Sequence, residues 1–127
     1  MHHDPIPKTP LPPVVEAKLR EKMAALQQDF ALRLPGMLND LAQRFHTLAS
    51  NPWNPQHCLE FYQKVHALAG SAGTFGFIQC GNKVRQLEDL LRQHGLSPNM
   101  DCSTPPDATT LQSIQQLVQQ LSEMKNF

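Results

Sequence analysis

Apolar residues recur every three or four positions along most of this chain, which is the spacing of one face of an α-helix. Prolines and glycines divide the pattern into segments, and no segment alternates apolar and polar residues as a half-buried β-strand does. Each helical segment must bury its apolar face against another segment. We therefore predict an all-α fold, most simply an antiparallel four-helix bundle with an additional N-terminal helix.

Pro35 interrupts the first long helical segment. Because proline lacks a backbone donor and clashes with the preceding turn, we predict that one helix ends before it and that Pro35 opens the next. One long helix bent at Pro35 is the alternative. Asn54 and Pro55 have the residue types of a helix cap and first position, and Gly95 is a typical stop signal. The predicted helices are 14–33, 35–50, 55–73, 78–94 and 108–124.

The first 13 residues include five prolines and cannot form a helix. We predict an extended lead or interdomain linker over residues 1–13 and one helical-bundle domain over residues 14–127. The pair His2–His3 fits a mobile terminus better than a metal site.

The charges of the chain balance, with 11 basic and 11 acidic residues, so the composition gives no reason to expect nucleic-acid binding. No apolar run reaches the ~18 residues of a membrane-spanning helix, and the N-terminal stretch lacks the apolar centre of a signal peptide. Three scattered cysteines, Cys58, Cys80 and Cys102, are too few for a disulfide framework. We expect a monomer in a reducing cytoplasm.

The stretch from His66 to Phe77, HALAGSAGTFGF, places three glycines within seven residues near the end of a predicted helix. Each glycine inside a helix costs about 1 kcal/mol relative to alanine. The composition therefore indicates that bare backbone is needed beside the histidine. Close packing of a neighbouring helix against the glycines is the alternative.

His66 is predicted to face solvent. At about 100° per residue it lies roughly 130° from the centre of the apolar stripe on its own helix. Its neighbours on the helix surface are Ala69, Gly70 and Gly73. The imidazole should therefore stand above small residues and be open to a large partner. The apolar stripe consists of Cys58, Phe61, Val65, Leu68 and Ala72.

Other kinds of reactive site find little support in the sequence. Metal motifs such as C-x-x-C and H-E-x-x-H are absent, and so is a phosphate-binding G-x-x-x-x-G-K-[ST] loop. Ser71 has no histidine and acid at a relay spacing. A histidine that carries a phosphoryl group fits best, because neutral imidazole is a good nucleophile. A carboxylate bound to the second ring nitrogen would fix its tautomer and orientation.

The glycine-rich stretch resembles the signature of the histidine phosphotransfer (HPt) domain family, H-x-L-x-G-[SA]-[SAG]-x-x-x-G. His66, Leu68, Gly70 and Gly76 all fall in register with that signature. The stretch is similar in particular to the phosphotransfer domain of the chemotaxis histidine kinase, which carries the same A-G-T-F-G-F run. The coarse layout of helices agrees with this family over about residues 14–125.

The resemblance implies that His66 accepts a phosphoryl group from a receiver-domain aspartate or a histidine kinase, including a hybrid sensor kinase, and passes it to another receiver. The protein would be a phosphocarrier with no cofactor of its own, not an autonomous enzyme, and the partner receiver would hold Mg²⁺. In the chemotaxis relative, a glutamate 22 residues after the histidine orients the ring, and the matching residue is Glu88. A solvated helix charge is the alternative role for Glu88.

One departure from the family concerns charge. Many members carry lysine three residues after the histidine, where this chain has Ala69. Either no cation is needed or another residue replaces it, and the candidates are Lys64, Lys83, Arg85 and Arg92. The predicted partner-binding and motif residues are Leu59, Tyr62, Gln63, Ala69, Gly70, Gly73, Gly76, Phe77 and Arg85.

Two other functions stay open at this point. An HPt-like bundle can bind and inhibit a receiver or kinase without being phosphorylated, and the loss of the lysine makes this function easier to accept. The dimerisation and phosphoacceptor region of a sensor kinase is the other. That region usually has an acidic residue directly after its histidine and lacks the glycines, whereas Ala67 follows His66 here.

Overall fold

The computed structural model describes residues 11–50, 52–100 and 102–127, and none of these residues lies in a β-strand. The prediction of an all-α fold is therefore confirmed. The chain divides into two compact units, residues 1–32 and 33–127. The described helices are α1 (Pro13–Ser50), α2 (Pro55–Thr74), α3 (Ile78–Gln93) and α4 (Ala108–Ser122).

Helix α1 continues through Pro35, so the predicted division into two helices is wrong and the alternative of one long helix is correct. The expected additional N-terminal helix is not a separate element. Pro35 and Gly36 are both exposed. Water can therefore satisfy the carbonyl that proline leaves without a donor. The apolar stripe also keeps its phase across the proline, because Leu34, Leu38 and Leu41 are all buried.

The first compact unit is described from residue 11 to residue 32, and most of this segment belongs to α1. Its large apolar side chains are mostly exposed. Residues 1–10, including His2–His3, lie outside the described residues, so the predicted boundary after residue 13 stays a prediction. The exposed apolar residues of this unit are Leu11, Val14, Val15, Leu19, Met23, Leu26 and Leu32.

The start of α2 follows the sequence prediction. The Asn54 side chain accepts hydrogen bonds from the backbone N–H groups of Gln56 and His57, at 2.9 and 3.2 Å. Pro55 occupies the first helical position, where its missing N–H is no loss. The predicted apolar stripe of this helix is confirmed, because all five of its residues, Cys58, Phe61, Val65, Leu68 and Ala72, are buried.

Helices α2 and α3 run antiparallel and are joined by a turn of three residues. Gly76 in this turn has φ = 79°, a left-handed conformation that glycine adopts without steric cost. Near the turn, Gly81 of α3 lies against Ala72 of α2, so that a Cβ added to Gly81 would lie 3.7 Å from the Ala72 Cβ. Far from the turn, Arg92 of α3 donates to Tyr62 of α2. Late residues of one helix therefore face early residues of the other.

Helices α3 and α4 are also antiparallel. Lys83, early in α3, donates to the Gln120 side chain late in α4 at 2.8 Å. His94, just after α3, lies 3.5 Å from the Thr110 hydroxyl at the start of α4. Gly95, predicted as the stop of α3, follows the helix with φ = 72°.

The core of the second unit is built from the apolar faces of its helices. The Phe45 and Phe61 rings, whose centroids lie 5.6 Å apart, join α1 to α2 within this unit. In the described part of the chain, no helix is both long enough and apolar enough to cross a membrane. The largest fully buried side chains are Phe45, Phe61, Leu34, Leu38, Leu87, Leu91, Leu96, Ile114, Leu121, Val65, Val84 and Val118.

Candidate functional site

His66 stands on α2 with 69% of its side chain exposed, although Val65 before it is fully buried. Burial of the apolar stripe fixes the rotation of the helix, and that rotation turns His66 outward. The predicted solvent-facing position is therefore confirmed. The ring is accessible to a large reactant while its helix is held by the core.

Glu88 of α3 is the direct partner of the histidine. Its Oε2 lies 2.6 Å from His66 Nδ1, and its side chain is only 5% exposed. An ionised carboxylate can only accept hydrogen bonds, so Nδ1 must carry the proton and donate. The other ring nitrogen, Nε2, then keeps a free lone pair. This contact has the geometry that the resemblance implied for Glu88, and a solvated helix charge does not describe its burial.

Tyr62 and Arg92 complete a hydrogen-bonded network around the same carboxylate oxygen. The Tyr62 hydroxyl donates to Glu88 Oε2 at 3.0 Å, and Arg92 Nη2 lies 2.7 Å from that oxygen. Arg92 Nε also donates to the Tyr62 hydroxyl at 3.0 Å. The Tyr62 ring stacks beside the imidazole, with centroids 6.1 Å apart and planes 9° from parallel. These contacts hold the carboxylate, and through it the imidazole, in one orientation.

The network keeps Glu88 ionised in spite of its burial. Burial alone raises the pKa of a carboxyl group, but hydrogen bonds from Arg92, His66 and Tyr62 and the positive charge of Arg92 outweigh it and lower the pKa of Glu88. The same hydrogen bond to Glu88 raises the pKa of Arg92. The site therefore holds a fixed negative charge directly behind the imidazole.

The surface beside His66 differs in part from the predicted floor of small residues. Gly70 is open, and a Cβ added there would meet no atom within 4 Å. Gly73 is also exposed, but a Cβ added there would lie 2.9 Å from Nη2 of the Arg85 side chain. Ala69 is buried, since it lies four residues after Val65, at the edge of the apolar stripe. Ala69 is therefore a buried part of the predicted floor of small residues, and Gly70 is the position with open space above it.

The other predicted residues fall into two groups. Tyr62 is buried and belongs to the network around Glu88, which does not suit an exposed docking residue. Leu59 and Phe77 are half-buried, while Gln63 and Gly76 are exposed. Their role in binding a partner stays a prediction.

The four candidate cations differ in their contacts and in their position relative to His66. Lys83 is engaged with Gln120, and Arg92 with Glu88. Lys64 lies two residues before His66, a spacing that puts it on a different side of the helix. Arg85 of α3 lies over Gly73 of α2. Gly73 follows His66 by seven residues and is therefore on the same face of α2.

Sequence reasoning did not predict that Tyr62 and Arg92 join the histidine's network. A local signal was present, because Tyr62 precedes His66 by four residues and Arg92 follows Glu88 by four, and such pairs are neighbours on a helix. What the sequence did not show is that these two pairs face each other across α2 and α3.

A separate cleft of about 310 Å³ lies between α1 and the start of α2, within the second unit. It holds an ion pair in which Arg44 Nε donates to Asp40 Oδ2 at 2.8 Å. None of the residues of the His66 network lines it. In the described ranges, no group of three or more His, Cys, Asp or Glu side chains could hold a metal ion. The cleft is lined by Asp40, Gln43, Arg44, Thr47, Leu48, His57, Glu60 and Phe61.

The Hpt domain family model matches residues 57–126, which is more than half of the chain. The chain belongs to the Hpt domain family. The matched region contains nearly all of α2 and the whole of α3 and α4, and so includes the complete network around His66. Hpt domains are helical and carry out histidine phosphotransfer in phosphorelays, in which they interact with receiver domains. Comparisons with curated proteins and with solved structures found no significant match.

Proposed function

We propose that His66 is the phosphoryl-carrying residue of this Hpt domain, and that it relays the group between a receiver-domain aspartate, or a histidine kinase, and another receiver. The observation that carries the proposal is the 2.6 Å contact between His66 Nδ1 and a buried, ionised Glu88, on a ring that is 69% exposed. One ring nitrogen is held and the other is left for chemistry.

The chemical step needs little from the protein beyond this arrangement. His66 Nε2 attacks the phosphorus of an aspartyl phosphate, the new P–N bond forms, and the P–O bond to the aspartate breaks, so that the aspartate leaves as a carboxylate. The ring becomes positively charged as the bond forms. The Glu88 carboxylate, hydrogen-bonded to Nδ1–H, stabilises that charge without taking the proton. Transfer onward is the same step in reverse.

The partner is expected to supply what this chain lacks. A receiver domain would bring the aspartate and the Mg²⁺ that neutralises the transferring phosphoryl group, and the Hpt domain would hold no cofactor of its own. The domain is then a phosphocarrier and not an autonomous enzyme. We expect it to act as a monomer.

The docking surface is proposed to centre on Gly70, one turn after His66. Its backbone is exposed and nothing stands above it, so a partner loop can approach closely. The rim would include Gln63, Leu59 and Phe77. Transient interfaces of this kind are small and only moderately tight.

Arg85 is proposed as the positive charge at the rim of this surface. A phosphoryl group carries about −1.5 to −2 charge near neutral pH, and an arginine guanidinium is a good partner for it or for an acidic receiver. Among the four candidate cations, Arg85 best combines a position on the His66 face with freedom from the contacts that engage Lys83 and Arg92.

The test of the proposal is phosphorylation of wild type and His66→Gln by a small phosphoramidate donor, followed by acid and base treatment. We expect an acid-labile, base-stable label on the wild type alone. A label of the same size on His66→Gln would contradict the assignment of His66. No label on folded wild-type protein would instead favour an Hpt module that binds a receiver or kinase without being phosphorylated.

The docking surface has its own test. Gly70→Leu adds a side chain where there is open space, so the fold should tolerate it, while phosphotransfer with a receiver that is active on the wild type should fall at least tenfold. Gly36→Leu in α1 is the matched control, because a Cβ there also meets no atom within 4 Å. A Gly70→Leu protein that exchanges phosphate with the receiver at the wild-type rate would remove Gly70 from the interface.

A further inference from the structure

We infer that Arg92 is a positioning residue that keeps His66 nucleophilic near neutral pH. It acts through Glu88, by balancing the negative charge that would otherwise draw a second proton onto the imidazole. This inference rests on the proposed function of His66 as the phosphoryl carrier. It goes beyond holding the ring in one orientation, because it concerns the charge of the ring before the reaction begins.

Three donors converge on one oxygen of a buried carboxylate. Glu88 Oε2 lies 2.6 Å from His66 Nδ1 and 2.7 Å from Arg92 Nη2. The Tyr62 hydroxyl donates to the same oxygen at 3.0 Å. Only 5% of the Glu88 side chain is exposed, so salt and water screen its charge less than they screen a surface charge. The imidazole and the guanidinium therefore interact through one shared atom.

The negative charge of Glu88 acts on two states of the ring. It stabilises the ring that becomes positive as the P–N bond forms, but it also stabilises a free ring whose Nε2 has taken up a proton. A ring protonated on both nitrogens has no lone pair and cannot attack phosphorus. A glutamate alone behind the histidine would therefore lower the nucleophilic fraction of the ring near neutral pH.

Arg92 supplies the balancing positive charge. Its Nη2 and the His66 Nδ1 each lie within 2.7 Å of Glu88 Oε2, so the two nitrogens are separated by no more than twice that distance. A like charge this close disfavours the doubly protonated ring. With a neutral ring, Glu88 and Arg92 have no net charge together. The carboxylate stays ionised and still accepts from Nδ1–H, so its role in the transfer step is kept.

The other charged groups of the neighbouring helices have different surroundings. Asp89 lies 3.7 Å from Arg92 Nη1 but is exposed, so solvent weakens their interaction. Lys83 donates to a side chain of α4, and Arg85 lies over Gly73. Helix α4 contains no acidic or basic side chain, and the ion pair of α1 lies in the separate cleft. Arg92 is thus the cation in direct contact with Glu88.

The place of Arg92 in α3 allows a purely structural role as the alternative. Arg92 follows Glu88 by four residues, which is the spacing and order that favour an ion pair on one helix face. It also belongs to the last turn of α3, where a positive charge is favourable. A purely structural role would change the rate of phosphorylation by the same factor at every pH, whereas a charge-balancing role depends on pH.

The experiment measures initial labelling of the full chain by a small phosphoramidate between about pH 6 and about pH 8.5, across the range in which histidine titrates. Each variant's rate is divided by the wild-type rate at the same pH, so that the titration of the donor cancels. For Arg92→Gln, this ratio should be at least about threefold smaller at the acid end than at the alkaline end. Arg92→Lys keeps the charge, and its ratio should be constant within about twofold. Tyr62→Phe removes a neutral donor from the same oxygen, and its ratio should also be constant within about twofold.

An NMR titration of the His66 ring gives a second readout that needs no phosphoryl donor. The pH at which half of the rings are doubly protonated should be higher in Arg92→Gln than in the wild type. Failure of His66 to accept a phosphoryl group would remove the proposed function, but the titration would still test the charge balance. The two failures are therefore distinguishable.

Three results would overturn the inference. The first is an Arg92→Gln ratio that is the same at every pH, as a purely structural role requires. The second is a Tyr62→Phe ratio with the same dependence on pH, since the loss of a neutral donor would then be sufficient. The third is an Arg92→Gln ring that becomes doubly protonated at the same pH as the wild type or at a lower one. Circular dichroism checks the fold of each variant, and Arg92→Met removes the same charge if Arg92→Gln does not fold.

Discussion

Replacing Glu88 with glutamine removes the negative charge behind His66 while keeping almost the same shape. All three of its donors, from His66, Tyr62 and Arg92, reach the same oxygen, Oε2. An amide oxygen in that position can still accept from them. The substitution therefore isolates the charge of Glu88 from its size and from its ability to hold the ring.

The expected magnitude follows from the strength of that one contact. A hydrogen bond to a charged group contributes about 1.5–3 kcal/mol, whereas a bond between neutral groups contributes about 0.5–1.5 kcal/mol. The difference, roughly 1–1.5 kcal/mol, applies where the imidazole becomes positive as phosphorus bonds to Nε2. Since about 1.4 kcal/mol corresponds to a factor of ten in rate, phosphorylation of Glu88→Gln should be slower by roughly tenfold.

The assay is the initial rate of labelling by a small phosphoramidate, which needs no protein partner. Asp89→Asn is the matched control, because Asp89 is the next residue, is exposed, and lies 3.7 Å from Arg92 Nη1. It should stay within twofold of the wild-type rate. A Glu88→Gln protein that is folded and labels at the wild-type rate would refute the role of the charge. An equal loss in Asp89→Asn would show that the effect is general electrostatics.

Three further predictions concern stability and are measured by urea unfolding. The pKa of Glu88 in the folded protein is lowered from its ordinary value of 4.5. The wild type should therefore have a larger free energy of unfolding than Glu88→Gln above that pH, and this difference should shrink as the pH falls through the lowered pKa. A difference that stays the same in strong acid would contradict this prediction. Asn54→Ala removes the cap of α2 and should lower the free energy of unfolding by about 1 kcal/mol. Asn82→Ala is the control, because Asn82 is exposed within α3, and it should not lower the free energy of unfolding. Gly73→Ala should raise the free energy of unfolding by up to about 1 kcal/mol, since the atom it meets is the mobile end of Arg85; a loss of more than 1 kcal/mol would show that Arg85 is held firmly.

The sequence determined the local structure of the second half of this protein. The spacing of apolar residues, the Asn54–Pro55 start and the Gly95 stop predicted α2 and α3 to within two residues at each end. The same spacing turned His66 outward, because burial of a stripe fixes the rotation of its helix. These features depend on residues within one or two turns of each other, so they can be read directly from the order of the chain.

Only the tertiary structure decided how the helices meet. The contact of Glu88 with His66 was implied by resemblance to a family and not by any local pattern, and the addition of Tyr62 and Arg92 was not predicted at all. Such contacts depend on the rotation and axial register of two helices, which are set by side-chain packing along their whole interface. Helical periodicity fixes which face of a helix is buried, but it does not fix what that face will touch.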